Sequence, residues 1–325
     1  MRALHRVALA AAFATGAAVA ALPCFAQSGR AYPAKPVRLV VSFPAGGTPD
    51  MLARLIGPKM SESWGQPVVI ENRPGAGGII AASIVAKAAP DGYTLLMVSP
   101  AFAIAAALHP SLPYDSLKDF AGVTEIGFST TVAVTSPASG IKSVKELIVL
   151  AQAHPGKMLY GSAGAGSATH MNAERFRIAA GIKAVHVAFK GQSEFLLEIV
   201  AGRIHYGVSG LGPALSLIKD GRLLPLAVAQ RTPVLPGVPA MAEVLPGWGR
   251  DGAQSLLAPA GTPRPVLNQI SKEVARILAL PDVRERLEAI AFQITPSTPE
   301  EHDRLLRAQI EVFSKVVREA GLRPK

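Results

Sequence analysis

The 325-residue chain has a single cysteine, Cys24, so it cannot close a disulfide within itself, and a disulfide-stapled scaffold is excluded. Aromatic residues are scarce, at 6%, and charged residues make up only 17%; the 49% hydrophobic content nevertheless excludes a disordered tail protein. Acidic residues are outnumbered by basic ones, 23 to 33, for a net charge of +10. The basic residues are dispersed, with no run and no interleaved aromatics, so no nucleic-acid partner is expected. An anionic small molecule or an anionic membrane face suits the excess, as does a surface that is merely basic and soluble. Beyond the N-terminal leader, no unbroken apolar stretch reaches the roughly 18 residues of a membrane span. The 30 glycines and 27 prolines are spread along the chain, which excludes collagen-like and low-complexity classes. At this length, two globular lobes of roughly 100–200 residues each are expected.

What is present starts with a leader. Arg2, His5 and Arg6 form a basic start, Val7 to Leu22 is an apolar run, and Pro23-Cys24-Phe25-Ala26 ends in small residues. This three-part form is a secretory signal over residues 1–26, with cleavage expected near Ala26 and export of the mature chain. Lipidation of Cys24 is the alternative, and Pro23 directly before it argues against that. Cleavage removes Arg2 and Arg6, leaves +8 of the +10, and leaves no thiol in an oxidising compartment.

The mature chain alternates short β-rich runs with amphipathic helical stretches. Strands are expected at 37–42, 68–71 and 94–99, the first two each followed by a helix, and again at 159–162, 185–188, 204–209 and 224–229. That alternation predicts an α/β protein in which each lobe is a mostly parallel sheet flanked by helices. Thr131 to Thr135 is β-rich and ends at Ser136-Pro137, where the pattern resets. Residues 27–135 with 230–325 are therefore expected to form a discontinuous first lobe, and 136–229 a second, joined by two crossings that act as a hinge. Three helices, at about 263–279, 281–290 and 299–320, are expected to pack back on the first lobe.

In open α/β sheets, ligands bind outside the carboxyl ends of the strands. One such end carries Phe43, Ala45, Gly46, Gly47, Thr48 and Asp50, where Thr48 as N-cap and Pro49 as the first helical residue are expected to start a helix. Unpaired N–H groups and the helix dipole there attract a negative group. Asp50 has two compatible roles, stabilising its own helix start or accepting a hydrogen bond from a ligand donor or a fixed water. A second loop, from Ser162 through Gly164, Ala165, Gly166 and Ser167 to Thr169 and His170, is rich in small residues and hydroxyls. Its glycine spacing fits neither a phosphate-binding loop nor a dinucleotide fingerprint, and a purely structural turn is as good a reading of it taken alone. Two such loops, one per lobe, would set two helix N-termini across a cleft, holding a carboxylate at each side. Ser99 and Ser209 stand at further strand ends, and Lys190 after Phe189 is either an anion contact or base, or a solvated lysine. Phe189 and Phe102 either accept an aromatic acid or pack in the core.

Catalytic constellations are few. There is no nucleophile elbow, and Gly207-Val208-Ser209-Gly210 lacks the spacing for one. His170 and Glu174 stand one helical turn apart and are expected as a helix-surface pair rather than a metal site; no metal and no cofactor are expected. A hydrolase or isomerase would have to use Ser162 or Ser209 with His170 or His186, without a properly placed acid.

Several strings together resemble one family over nearly the whole mature chain. They are Tyr32-Pro33-Ala34-Lys35-Pro36-Val37-Arg38, Phe43 to Gly47 with Asp50 and Arg54, and Gly65-Gln66-Pro67 running on to Glu71-Asn72-Arg73-Pro74-Gly75-Ala76-Gly77-Gly78. Pro90-Asp91-Gly92-Tyr93, Pro155-Gly156-Lys157, His186 to Gly191 and Ala258 to Pro263 continue the match. The chain resembles the solute-binding receptors of the tripartite tricarboxylate transporter system, the Bordetella uptake gene (Bug) family. The resemblance implies a two-lobe, periplasmic-binding-protein-like (type II) fold that closes on a small aliphatic or aromatic carboxylate, as a monomer, and delivers it to membrane permease subunits. A receptor that signals to a sensor kinase is the alternative. It also implies that the loops Phe43 to Asp50 and Ser162 to His170 face the ligand. The chain departs from the family's usual pattern at Ala188-Phe189, where Pro-Tyr is common, and at Glu194-Phe195 and His205.

Overall fold

The computed structural model describes residues 32–246, 248 and 252–322. The expected leader, its cleavage point and Cys24 lie outside the described residues. From the N-terminal side run β1 (Val37–Val41), α1 (Thr48–Trp64), β2 (Val68–Asn72), α2 (Ile79–Ala86), β3 (Thr94–Val98), α3 (Ala101–Leu108) and β4 (Phe120–Ser129). There follow β5 (Thr131–Thr135), α4 (Val144–Ala153), β6 (Met158–Ser162), α5 (Ala168–Ala179), β7 (Ala184–Ala188), α6 (Gln192–Val200), β8 (Tyr206–Gly210), α7 (Leu211–Lys219) and β9 (Leu224–Val228). The chain returns through α8 (Met241–Val244), β10 (Gln254–Pro259), α9 (Arg264–Leu278), α10 (Pro281–Ala289), β11 (Phe292–Ile294) and α11 (Pro299–Glu319).

The strands form two sheets, one of six strands in the order β11-β4-β10-β3-β1-β2 and one of five in the order β7-β6-β8-β5-β9. The expectation of mostly parallel sheets is corrected: both are mixed. β1 pairs β2 and β3 in parallel, while β10 runs antiparallel to β3 and β4. In the second sheet β6 is parallel to β7 and β8, while β5 is antiparallel to β8 and β9. The antiparallel half is built by the strands that leave and re-enter each sheet. β4 escaped the sequence reading because glycines interrupt its apolar pattern. Gly122 has no room for a side chain, since a Cβ there would lie 2.3 Å from His302 Nδ1.

The first crossing is also corrected. Thr131 to Thr135, expected in the first lobe, is β5 of the second sheet, so only Thr130 separates the two sheets. β5 is β-branched and fully buried, and only the second sheet offers it partners on both edges. Gln293 of β11 reaches this point and donates from Nε2 to Thr130 Oγ1 at 3.1 Å.

Local signals explain the helix limits. α1 has proline in its first turn, but the expected N-cap at Thr48 is corrected: Gly47 is the N-cap, no side chain caps the start, and the helix stops at Gly65, whose φ of 62° suits glycine. α11 carries a capping box of Thr298 and Glu301. Buried residues cover both faces of the second sheet: Tyr160, Phe176 and Tyr206 on the α4/α5 side, and Phe195, Leu196 and Ile199 of α6 with Leu211 of α7 on the other. In the first lobe Val40, Leu96, Phe102, Phe120 and Phe313 share a cluster that also takes in Met171 of α5. α9 and α11 pack on β4, and α11 additionally touches α5.

Candidate functional site

A cavity of about 650 Å³ opens where the two sheets face each other. Its wall takes in five helix starts: Gly47, Thr48 and Pro49 of α1, Pro100 and Ala101 of α3, Ser167, Ala168 and Thr169 of α5, Gln192 of α6, and Gly210 ahead of α7. Each helix start leaves backbone N–H groups without intrahelical partners and the positive end of a dipole. No ionisable side chain stands among the described lining residues. The electrostatics are therefore those of convergent dipoles in a neutral wall.

The first-lobe loop is held by Asp50. Its carboxylate accepts from the Gly46 N–H at 2.9 Å, from Arg54 Nε at 3.0 Å and from Asn72 Nδ2 at 2.8 Å. Burial opposes its charge, but the hydrogen bonds from Arg54, Gly46 and Asn72 outweigh that and hold the carboxyl below its ordinary pKa. Asn72 also donates to the Phe43 carbonyl at 3.0 Å. The Glu71-Asn72-Arg73 string thus does two jobs. Asn72 fixes the α1 entry loop, and Glu71 pairs with Arg38 and Arg73 on the flank. The glycines that follow turn the chain so that Gly77 joins the cavity wall.

The second-lobe loop is organised from behind. Ser167 caps α5 by accepting the His170 N–H at 3.2 Å, and Thr169 Oγ1 accepts the Ala163 N–H at 2.9 Å. His170 Nδ1 accepts the Gly166 N–H at 3.1 Å. The ring of His170 stacks on His186 with centroids 3.9 Å apart, and Ser162 Oγ lies 2.6 Å from His186 Nε2. Burial, with His186 beside it, pushes His170 down to about 4, and burial lowers His186 as well. Both rings are held neutral as scaffolding. The expectation that His170 and Glu174 form a surface pair is corrected. Both are buried, and Glu174 accepts from Tyr160 and forms an ion pair with Arg177 at 2.7 Å.

Of the sequence-predicted site residues, Phe43, Gly47, Thr48, Ser99, Ala165, Gly166, Ser167 and Thr169 line the cavity. His170 lines a second chamber beside it. Ala45, Gly46, Asp50, Ser162, Gly164, Phe189, Lys190 and Ser209 do not reach the cavity wall. Ala45 and Gly46 sit on the outside of the turn, Asp50 is enclosed by its three donors, and Lys190 is exposed. Ser162 and Ser209 are fully buried, so the serine–histidine contact faces no cavity. Gly164 has its φ at +113° and lies behind the loop near the Phe189 carbonyl. The Phe189 ring packs against the α6 core.

Sequence reasoning missed Ser129 and Thr131 at the crossing, Asn172 one turn into α5, Gln192, and Gln254 at the start of β10. Gln192 is anchored through Oε1, which accepts Ser209 Oγ at 2.9 Å and the Gly210 N–H at 3.0 Å. Only its NH2 is left to meet a ligand. Its place directly after the Gly191 turn, as the first residue of α6, was the available signal.

The model of the tripartite tricarboxylate transporter family receptor matches residues 52–322. The chain belongs to that family. It is 32% identical to the protein BugT of Bordetella pertussis, over 92% of this chain and 93% of BugT. Among solved structures, a protein of R. palustris with adipate is 33% identical, with a TM-score of 0.75 over 90% of this chain and all of that one. MatC from Rhodopseudomonas palustris with bound malate is 31% identical, with a TM-score of 0.70 over 88% of this chain and all of MatC. The receptor thus has the two-lobe α/β fold of periplasmic binding proteins, with its cavity between the lobes.

Proposed function

We propose that this receptor is exported by its leader, captures a small carboxylate between its lobes without transforming it, and hands the closed complex to membrane permease subunits as a single copy. The observation that carries the reading is the convergence of five helix starts on one wall that lacks ionisable side chains among its described residues. A carboxylate there exchanges hydration for oriented N–H groups, each helix end adding from about 0.3 up to about 2 kcal/mol according to burial. The adipate and malate bound in the two R. palustris relatives agree in charge and size. Closure would turn on Thr130 and on the return segment between β9 and β10, a hinge motion of few residues.

The test is thermal unfolding against mono- and dicarboxylates. A true ligand at about 100 times its Kd adds roughly 2.7 kcal/mol, a rise of about 5–10 °C if the lobes melt together. Failure of every mono- and dicarboxylate to raise the melting temperature refutes the reading.

A further inference from the structure

Beside the cavity lies a second chamber of about 570 Å³. The two spaces share four residues, Gly77 and Ala101 on the first lobe and Ala165 and Gly166 on the second. None carries more than a methyl group, so little separates one space from the other. Beyond this neck the chamber follows α3 along Ile104, Ala105 and Leu108, with Leu322 from the end of the described chain on its wall. The neck has no slack at Gly166, because a Cβ there would stand 3.1 Å from Leu108 Cδ1. Its φ of +76° also favours glycine.

The polar side chains on this wall are two histidines. His109 caps the C-terminal end of α3 and is partly exposed. His170 is only 3% exposed, and its Nδ1 is taken by the Gly166 N–H. In the neutral ring the proton therefore sits on Nε2, which has no hydrogen-bond partner among the described residues. The chamber is thus an apolar sleeve with one buried donor, opening through a neck of glycine and alanine onto the helix starts.

We propose that the two spaces form one elongated ligand site, and that its ligands are carboxylates with an extended apolar body. The carboxylate sits at the helix starts, the alkyl or aryl body passes Gly77, Ala101, Ala165 and Gly166, where His170 stands beside the neck, and its apolar end lies along Ile104, Ala105 and Leu108. This rests on the carboxylate reading and deepens it, since compact acids would leave the α3 chamber unused. Each methylene buried in the sleeve contributes about a fourfold gain in affinity.

The experiment is calorimetric titration with saturated dicarboxylates of increasing length, from succinate to dodecanedioate, and with monocarboxylates of matching length. Expected is a Kd that falls about fourfold per added methylene beyond six carbons, with methyl-ended chains gaining at least as much as acid-ended ones. Two separate variants that fill the chamber, Leu322→Trp and Ala105→Leu, remove the gain for long acids and leave short-acid affinity unchanged. Leu322 lies close to the chain end, so that variant keeps the test informative if Ala105→Leu unfolds. Affinity that peaks at four to six carbons and then falls or stays flat overturns this inference while leaving carboxylate capture standing. So does a length gain that survives both fillings. Failure of all acids, short and long, overturns both readings.

Discussion

Replacing Gln192 by glutamate tests whether dipoles alone make the cavity anion-selective. The substitution is nearly isosteric. One carboxylate oxygen can keep accepting Ser209 Oγ and the Gly210 N–H, now at 2.9 and 3.0 Å, so the anchor survives. The other oxygen replaces the only donor that Gln192 offers the cavity. A space of about 650 Å³ has a radius of roughly 5 Å if taken as a sphere, so a bound carboxylate would lie about 5–6 Å from the new charge. At an effective dielectric constant of about 20, that repulsion is about 3 kcal/mol, or about 100-fold in Kd. No lysine or arginine among the described wall residues is present to screen it. Titration of both forms with the same dicarboxylate at pH 7.5 reads the effect directly. Part of the loss should return at pH 5, as the new carboxyl begins to take up protons. Equal or tighter carboxylate binding by Gln192→Glu would refute the idea that this wall selects anions by unopposed dipoles.

Three further outcomes follow from contacts described above. Asp50→Ala strips the Gly46 N–H and Asn72 Nδ2 of their acceptor; Arg54 is largely exposed, so the ion pair itself adds little, and the expected loss is about 1–3 kcal/mol in denaturant unfolding. An unchanged midpoint would mean that the α1 entry loop is held by something else. Gly161→Ala puts a Cβ 2.8 Å from Phe195 Cβ, inside a buried contact between β6 and α6, and should cost about 1–3 kcal/mol by calorimetry; a neutral result would show that α6 can shift freely. Stability should fall with acid. His170 and His302 have folded pKa values lowered from 6.5 to about 4, so below pH 6.5 the unfolded chain takes up protons that the folded one refuses. The loss grows from 6.5 down to about 4 and then levels off. Melting temperature measured across that window, with His302→Gln flattening part of the slope, checks it.

What could be read in the sequence is what local chemistry writes. Helix starts were legible because capping is local: Pro49 in the first turn of α1, Ser167 ahead of α5 and Thr298 ahead of α11 announce themselves within four residues. The apolar strands β1, β3 and β6 were legible for the same reason. β4 and β11 were not, because glycines at 122 and 127 break the pattern of β4 and three residues of β11 carry no period. The placement of β5 depended on partners some 75 and 95 residues downstream, which no run of five residues can encode. In the site, the two glycine-bearing loops were found, but which of their residues faced inward was decided from a distance. Asp50 looked like a ligand contact until Asn72 and Arg54 enclosed it, and Ser162 until His186 covered it. Gln192 and Gln254 looked ordinary because amides at element ends are common, and only the packing of the two sheets turns them toward one space.

Met171 sits one turn along the same helix whose first residues line the cavity, yet its side chain is fully buried in the first lobe's apolar cluster, and α5 rests against α11. The second lobe therefore does not hang from Thr130 and the return segment alone. It also leans on a greasy bearing. Swinging the halves apart must slide Met171 along α11 or bare it to water, and full exposure of such a side chain costs about 1.5–3 kcal/mol. Rest would then favour a partly shut jaw, with the empty molecule already close to the grip it needs.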